Sequence, residues 1–67
     1  MNNLEKLLSG YFSSEANEVA NVLTVLKKIG KMNFNSQDIK TVMESYRLPK
    51  LNESAYSDIA NFVNNEV

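Results

Sequence analysis

The amino-acid sequence predicts an all-α fold, a compact bundle of four short helices with no sheet. Three observations carry that expectation. Apolar residues recur at i, i+3, i+4 and i+7 in four separate segments, which is the spacing of a helix face. Asn and Ser stand before these segments, and Gly10, Gly30 and Pro49 stand after the first three. No segment combines period-two alternation with β-branched enrichment, because Val22 and Val25 sit inside a strong helical period.

The first helix is expected at about 3–11, with Leu4, Leu7, Leu8 and Tyr11 on one face. Asn2 or Asn3 can cap it, and Glu5 suits the positive end of the helix dipole. Gly10 weakens its end.

The second helix is expected at about 14–29. Ser13 or Ser14 is the candidate cap, with Glu15 and Glu18 in the first turns. Lys27 and Lys28 occupy the last turn and Gly30 follows, a C-terminal signature. Its apolar residues Ala16, Val19, Ala20, Val22, Leu23, Val25, Leu26 and Ile29 cover roughly 220° of the helix circumference. A helix covering one side of a core needs a stripe of only about 100° or somewhat more. The second helix is therefore expected either at the centre of the bundle or as half of a dimer seam. If the other helices leave part of the arc uncovered, Val22, Val25 and Ile29 are expected to line that seam, with Leu4 or Leu8 beside them.

The third helix is expected at about 36–47. Asn35 is its cap, Phe34 and Ile39 match a hydrophobic staple, and Asp38 gives an acidic first turn. Ile39, Val42, Met43 and Tyr46 form its stripe. It must end near Arg47, because Leu48 precedes Pro49 and is pushed out of the α region. The fourth helix is expected at about 53–65, capped by Asn52 or Ser54. Leu51 and Tyr56 are a second candidate staple, and Ala55, Ile59, Phe62 and Val63 make the apolar face.

A chain of 67 residues opening on Met is expected to form a single small domain over 1–67. Such domains bury only about 60% of their unfolded surface, so a staple or self-association is usual. With no Cys and no His, disulfides and the common zinc sites are excluded. Net charge is −1, which gives no global drive toward nucleic acid or an anionic membrane. No apolar run approaches the ~18 residues of a membrane span, and the N-terminus lacks the pattern of a signal peptide. The expected location is the cytoplasm, with no membrane contact.

Catalysis is not expected. The usual imidazole base and thiol nucleophile are absent, and the eight carboxylates are scattered outside the apolar stripes. Two glycines cannot build a phosphate-binding loop, and no calcium-loop spacing occurs. No cofactor or metal is expected.

Charge is uneven along the chain. Residues 27–50 carry Lys27, Lys28, Lys31, Lys40, Arg47 and Lys50 against Asp38 and Glu44, a formal +4. Residues 1–26 are −2 and residues 51–67 are −3. This band is a candidate contact for phosphate or an acidic partner. Part of it also serves the helix dipoles, since Lys27, Lys28 and Arg47 fall at expected helix C-termini.

The stretch NFNSQDIKTVMESYRLPKLNESAYSDIANFVNNEV, preceded by the helix Asn17–Ile29, resembles the three-helix core of helix-turn-helix and winged-helix domains in its helix, Pro-containing loop, helix layout. That resemblance implies a scaffold helix over Asn17–Ile29, a second helix over Ser36–Tyr46 and a recognition helix over Glu53–Asn65. The chain departs from the pattern in two ways. Its turn of about 6 residues exceeds the usual 3–4, and the would-be recognition helix holds Glu53, Asp58 and Glu66 with no Lys or Arg. Asn61, Asn64 and Asn65 are the residues there able to read adenine.

The aromatics fall mostly on apolar stripes. Phe12 lies off its stripe, so it either plugs the core at a helix junction or faces a partner. Tyr11 and Tyr56 are expected half out, with wet hydroxyls. The function expected is a non-enzymatic regulatory or protein-interaction module, an inhibitor, adaptor or antitoxin-like modulator of a larger protein, or a homodimer. The alternative is a helix-turn-helix-like DNA-binding regulator using the basic band.

Overall fold

The four punctuated segments form four helices in the computed structural model, which describes residues 3–12, 14–30 and 33–67. They are α1 (Asn3–Ser9), α2 (Ala16–Lys28), α3 (Ser36–Ser45) and α4 (Glu53–Glu66). No strand occurs among the described residues. The candidate caps Asn2 and Ser13 lie outside them.

Helix α1 stops at Ser9, two residues before its expected end. Gly10 disfavours continuation, and the Leu8 carbonyl accepts from the N–H groups of Tyr11 and Phe12, at 2.9 and 3.2 Å. The resulting turn drives Phe12 into the core. Phe12 is thus the plug at the α1–α2 junction.

Helix α2 begins at Ala16 rather than near residue 14. Glu15 occupies its N-cap position in the left-handed region, φ 66°, and its side chain caps nothing. The link between two buried residues, Phe12 and Ala16, is too short for a wide loop, and a left-handed residue reverses the chain within it. Ser14 therefore stands one position too early to cap. At the other end Ile29 is the C-cap, and Gly30 follows at φ 131°, a conformation open to glycine at no Cβ cost.

Helix α3 has the start its sequence predicts. The Asn35 side chain accepts from the Asp38 N–H at 2.9 Å, and the Asp38 carboxylate accepts from the Asn35 N–H at 3.1 Å. Phe34 and Ile39, the staple pair, are both buried. The helix ends in a Schellman turn: Leu48 N–H bonds the Met43 carbonyl and Arg47 N–H bonds the Glu44 carbonyl. Arg47 takes the left-handed position at φ 57°, where glycine is usual. Helix α4 is capped by Asn52, whose side chain accepts from Ala55 N–H at 3.0 Å. Tyr56 is fully buried rather than half out, and its hydroxyl accepts from Leu51 N–H at 3.0 Å. Tyr11 does sit half-buried.

The core joins Leu4 and Leu8 of α1, Val19 and Leu23 of α2, Ile39 and Met43 of α3, and Ile59 and Val63 of α4. Each such side chain contributes about 1.5–3 kcal/mol on burial. The Cα radius of gyration, 10.5 Å, matches the roughly 11 Å of a close-packed chain of this length.

One expectation is corrected here. Helix α4, not α2, packs against all three other helices, whereas α2 packs chiefly on α1 and α4. The reason lies in side chains outside the expected α4 stripe. Tyr56 and Ala60 are buried beside Ala55, Ile59 and Val63, which widens the buried arc of α4 to roughly 140°. Ala60 is small enough to let a neighbouring helix approach. Because α2 sits at one side, three helices bury only part of its apolar arc.

Candidate protein-interaction surface

Helix α2 carries two apolar faces. The inner face is Ala16, Val19, Ala20 and Leu23, all buried. The outer face is Val22, Val25, Leu26 and Ile29, spaced i, i+3, i+4 and i+7. Val25 is 53% exposed and Ile29 is 74% exposed, the largest exposures among the big apolar residues described. Val22 is half-buried but makes no part of the core cluster, while Leu26 packs against its edge. Val22, Val25 and Leu26 together with Asn21 line a shallow depression of about 250 Å³ whose walls are almost wholly apolar. Scattered surface apolar residues are ordinary, whereas these four are contiguous and share helix-packing spacing.

Val22, Val25 and Ile29, the residues expected at a dimer seam, lie together on one outward face. Leu4 and Leu8 do not join them. Both are fully buried in the core, because α1 spends its whole apolar face against α2 and α4.

Among the described residues, the basic side chains of the band are spread over α2, α3 and the α3–α4 connection. Lys27 points toward the core side of α2, and its ammonium donates to the Asn64 carbonyl of α4 at 3.2 Å, a cation placed at a helix C-terminus. Lys28 lies about 100° further round the helix and borders a second groove with Asn3, Thr24, Phe62 and Glu66. Lys40 belongs to α3, while Arg47 and Lys50 follow α3 in the connection to α4. Helices α2 and α3 both lean on α4 and scarcely touch each other. Lys31 lies outside the described residues.

Two asparagines of α4 spend their side chains within the fold. The Asn64 amide accepts from Phe34 N–H at 2.7 Å and donates to the Phe34 carbonyl at 2.8 Å. Asn65 donates to the Asn61 carbonyl one turn back, at 2.8 Å. The two-way bond of Asn64 clips the segment before α3 onto the end of α4, and nothing in the local sequence signals it. Its partners are thirty residues apart.

No buried charged side chain occurs among the described residues, and no buried polar side-chain atom there lacks a hydrogen-bond partner. No three acidic side chains among them stand close enough to hold a metal ion. No helix is long and apolar enough to cross a membrane among the described residues. No protein-family model matches this chain, nor does any curated protein or solved structure.

Proposed function

We propose that this protein is a non-enzymatic interaction module that works through the outer face of α2. The observation that carries this reading is the row Val22, Val25 and Ile29, left outside the core with Leu26 at its edge, on a helix whose other face is fully buried. An exposed apolar row costs solubility and gains nothing for the monomer, so a contact that covers it is its physical use. The lack of buried charged side chains among the described residues supports the non-enzymatic part, since perturbed groups in a cleft are what acid–base catalysis uses. Regulation of a larger protein fits a module of this size, and a cytoplasmic setting fits its lack of Cys.

The DNA-binding alternative draws less support. Lys27 and Asn64, two of its contact residues, are bonded within the fold. The exposed side of α4 keeps Glu53, Asp58 and Glu66, which repel phosphates.

The test is site-specific photo-crosslinking in the native host. A photoreactive residue replaces Val25 in one variant, Ile29 in a second and exposed Asp58 of α4 in a third. Adducts at positions 25 and 29 but not at 58 are expected. Equal yields at all three positions would refute the α2 face as the contact surface.

A further inference from the structure

We propose that the outer face of α2 is closed by a second copy of this chain, with the two α2 helices antiparallel. This rests on the reading of that face as the contact surface and names its occupant. The spacing i, i+3, i+4, i+7 is that of a helix built to pack on another helix, and the row lies along the axis of α2 rather than across it.

Charge selects the occupant and its direction. Glu18 stands at the N-terminal end of the row, and Lys28 flanks its C-terminal end, on the side of the groove with Phe62 and Glu66. Both are exposed, and neither forms a hydrogen bond or ion pair with another described residue. A two-fold axis between Val22 and Val25 sets Val22 of one copy against Val25 of the other. In that register Glu18 of one copy faces Ile29 of the other and lies beside its Lys28. Both ends of the seam then gain an opposite-charge neighbour, and the two helix dipoles oppose. A parallel pair would put Glu18 beside Glu18 and Lys28 beside Lys28. One face thus carries its own electrostatic complement, which makes a second copy sufficient to satisfy it.

The area sets the strength. Helix α2 has 13 residues and is about 20 Å long. A seam of that length falls short of the roughly 800 Å² per partner of a standard interface. The dimer is therefore weak and concentration-dependent.

Sedimentation equilibrium of the purified full chain tests this, from about 10 µM to about 1 mM, the range that a micromolar or weaker contact requires. The expected mass rises from 7.6 kDa toward twice that value. Val25→Lys should weaken association at least about tenfold while circular dichroism keeps the helical signal, because Val25 is outside the core. Glu18→Lys or Lys28→Glu alone should each weaken it by about threefold or more, and the double reversal should restore it to within about twofold. A mass that stays at 7.6 kDa throughout overturns self-pairing. So does a rise that Val25→Lys leaves unchanged. A double reversal no tighter than the singles overturns the antiparallel arrangement. These failures are distinct from failure of the contact surface: adducts at position 25 joining this chain to a different protein would keep the surface and remove the second copy.

Discussion

Replacing Asn64 tests how much of this fold depends on one amide. The side chain makes two hydrogen bonds to the Phe34 backbone, at 2.7 and 2.8 Å, both partly buried. Phe34 is buried and stands just before the α3 N-cap Asn35, so its backbone is partly shielded from water. In Asn64→Leu both Phe34 groups lose the Asn64 amide. Each lost bond removes about 0.5–1.5 kcal/mol, and a desolvated group left unsatisfied costs about 1–3 kcal/mol. The expected loss for Asn64→Leu is about 2–3 kcal/mol in all, since Phe34 is only partly shut off from water. For a domain of this size that lowers Tm by about 8–24 °C. Asn64→Asp separates the two bonds. It keeps an acceptor for the Phe34 N–H but sets a carboxylate oxygen against the Phe34 carbonyl, so it should destabilise at neutral pH despite near-identical shape. Urea denaturation followed by circular dichroism measures both. A loss under about 0.5 kcal/mol for Asn64→Leu, the noise of ordinary surface changes, would mean that water satisfies Phe34 as well as the amide does, and the clip would have no energetic role.

Three other perturbations have definite signs. Arg47→Gly should raise stability by about 0.5–1 kcal/mol, because the left-handed position costs a non-glycine residue about 1–2 kcal/mol and glycine returns part of that through unfolded-state entropy; a drop in Tm would show that the Arg47 side chain makes a stabilising contact. Leu23→Ala should cost about 2–5 kcal/mol and Leu26→Ala clearly less, because Leu23 is fully enclosed and Leu26 only borders the core; equal losses in chemical denaturation would mean that the outer face of α2 is packed in the monomer. Asn35→Ala should cost about 1 kcal/mol through loss of the α3 capping box, and a neutral result in the same assay would place the start of α3 under tertiary control.

The parts of the fold visible in the sequence are those governed by neighbours along the chain. The Asn35–Asp38 box, the Phe34–Ile39 staple and the end of α3 before Pro49 all depend on residues within a few positions, and all form. The start of α2 escaped detection because a left-handed Glu15 has no local signature: the strain is held by the burial of Phe12 and Ala16 on either side. The central place of α4 was hidden for a related reason. Tyr56 carries a hydroxyl and Ala60 is small, so neither reads as core, yet the hydroxyl finds Leu51 N–H and the small side chain admits a neighbouring helix. At the candidate surface, the over-wide apolar arc of α2 was legible, and so were the three residues that end up outward. Which half of the arc faces the core was not, because that depends on where the other helices stand. The dispersal of the basic band was equally out of reach, since Lys27 meets Asn64 across thirty-seven positions.

The excess apolar arc of α2 bears on why so small a chain keeps it. A domain of 67 residues lies near the size where one core supplies little net stability. Val25 and Ile29 add nothing to that core, and polar residues in their place would leave the inner face of α2 intact. Helix propensity does not explain them either, as Val and Ile are weaker helix formers than Lys, Glu or Gln. Their presence is therefore an expense of the isolated monomer that only a covering contact turns into stabilisation. Association stabilises the folded state by mass action in proportion to how far concentration exceeds the dissociation constant. The same row that exposes the monomer to aggregation would then add to its folding once covered. On this argument stability and binding are coupled in α2, and the melting temperature should climb with protein concentration in the parent chain but stay flat in Val25→Lys. A concentration-independent Tm in both would separate folding from contact and leave the outer row to a partner other than a second copy.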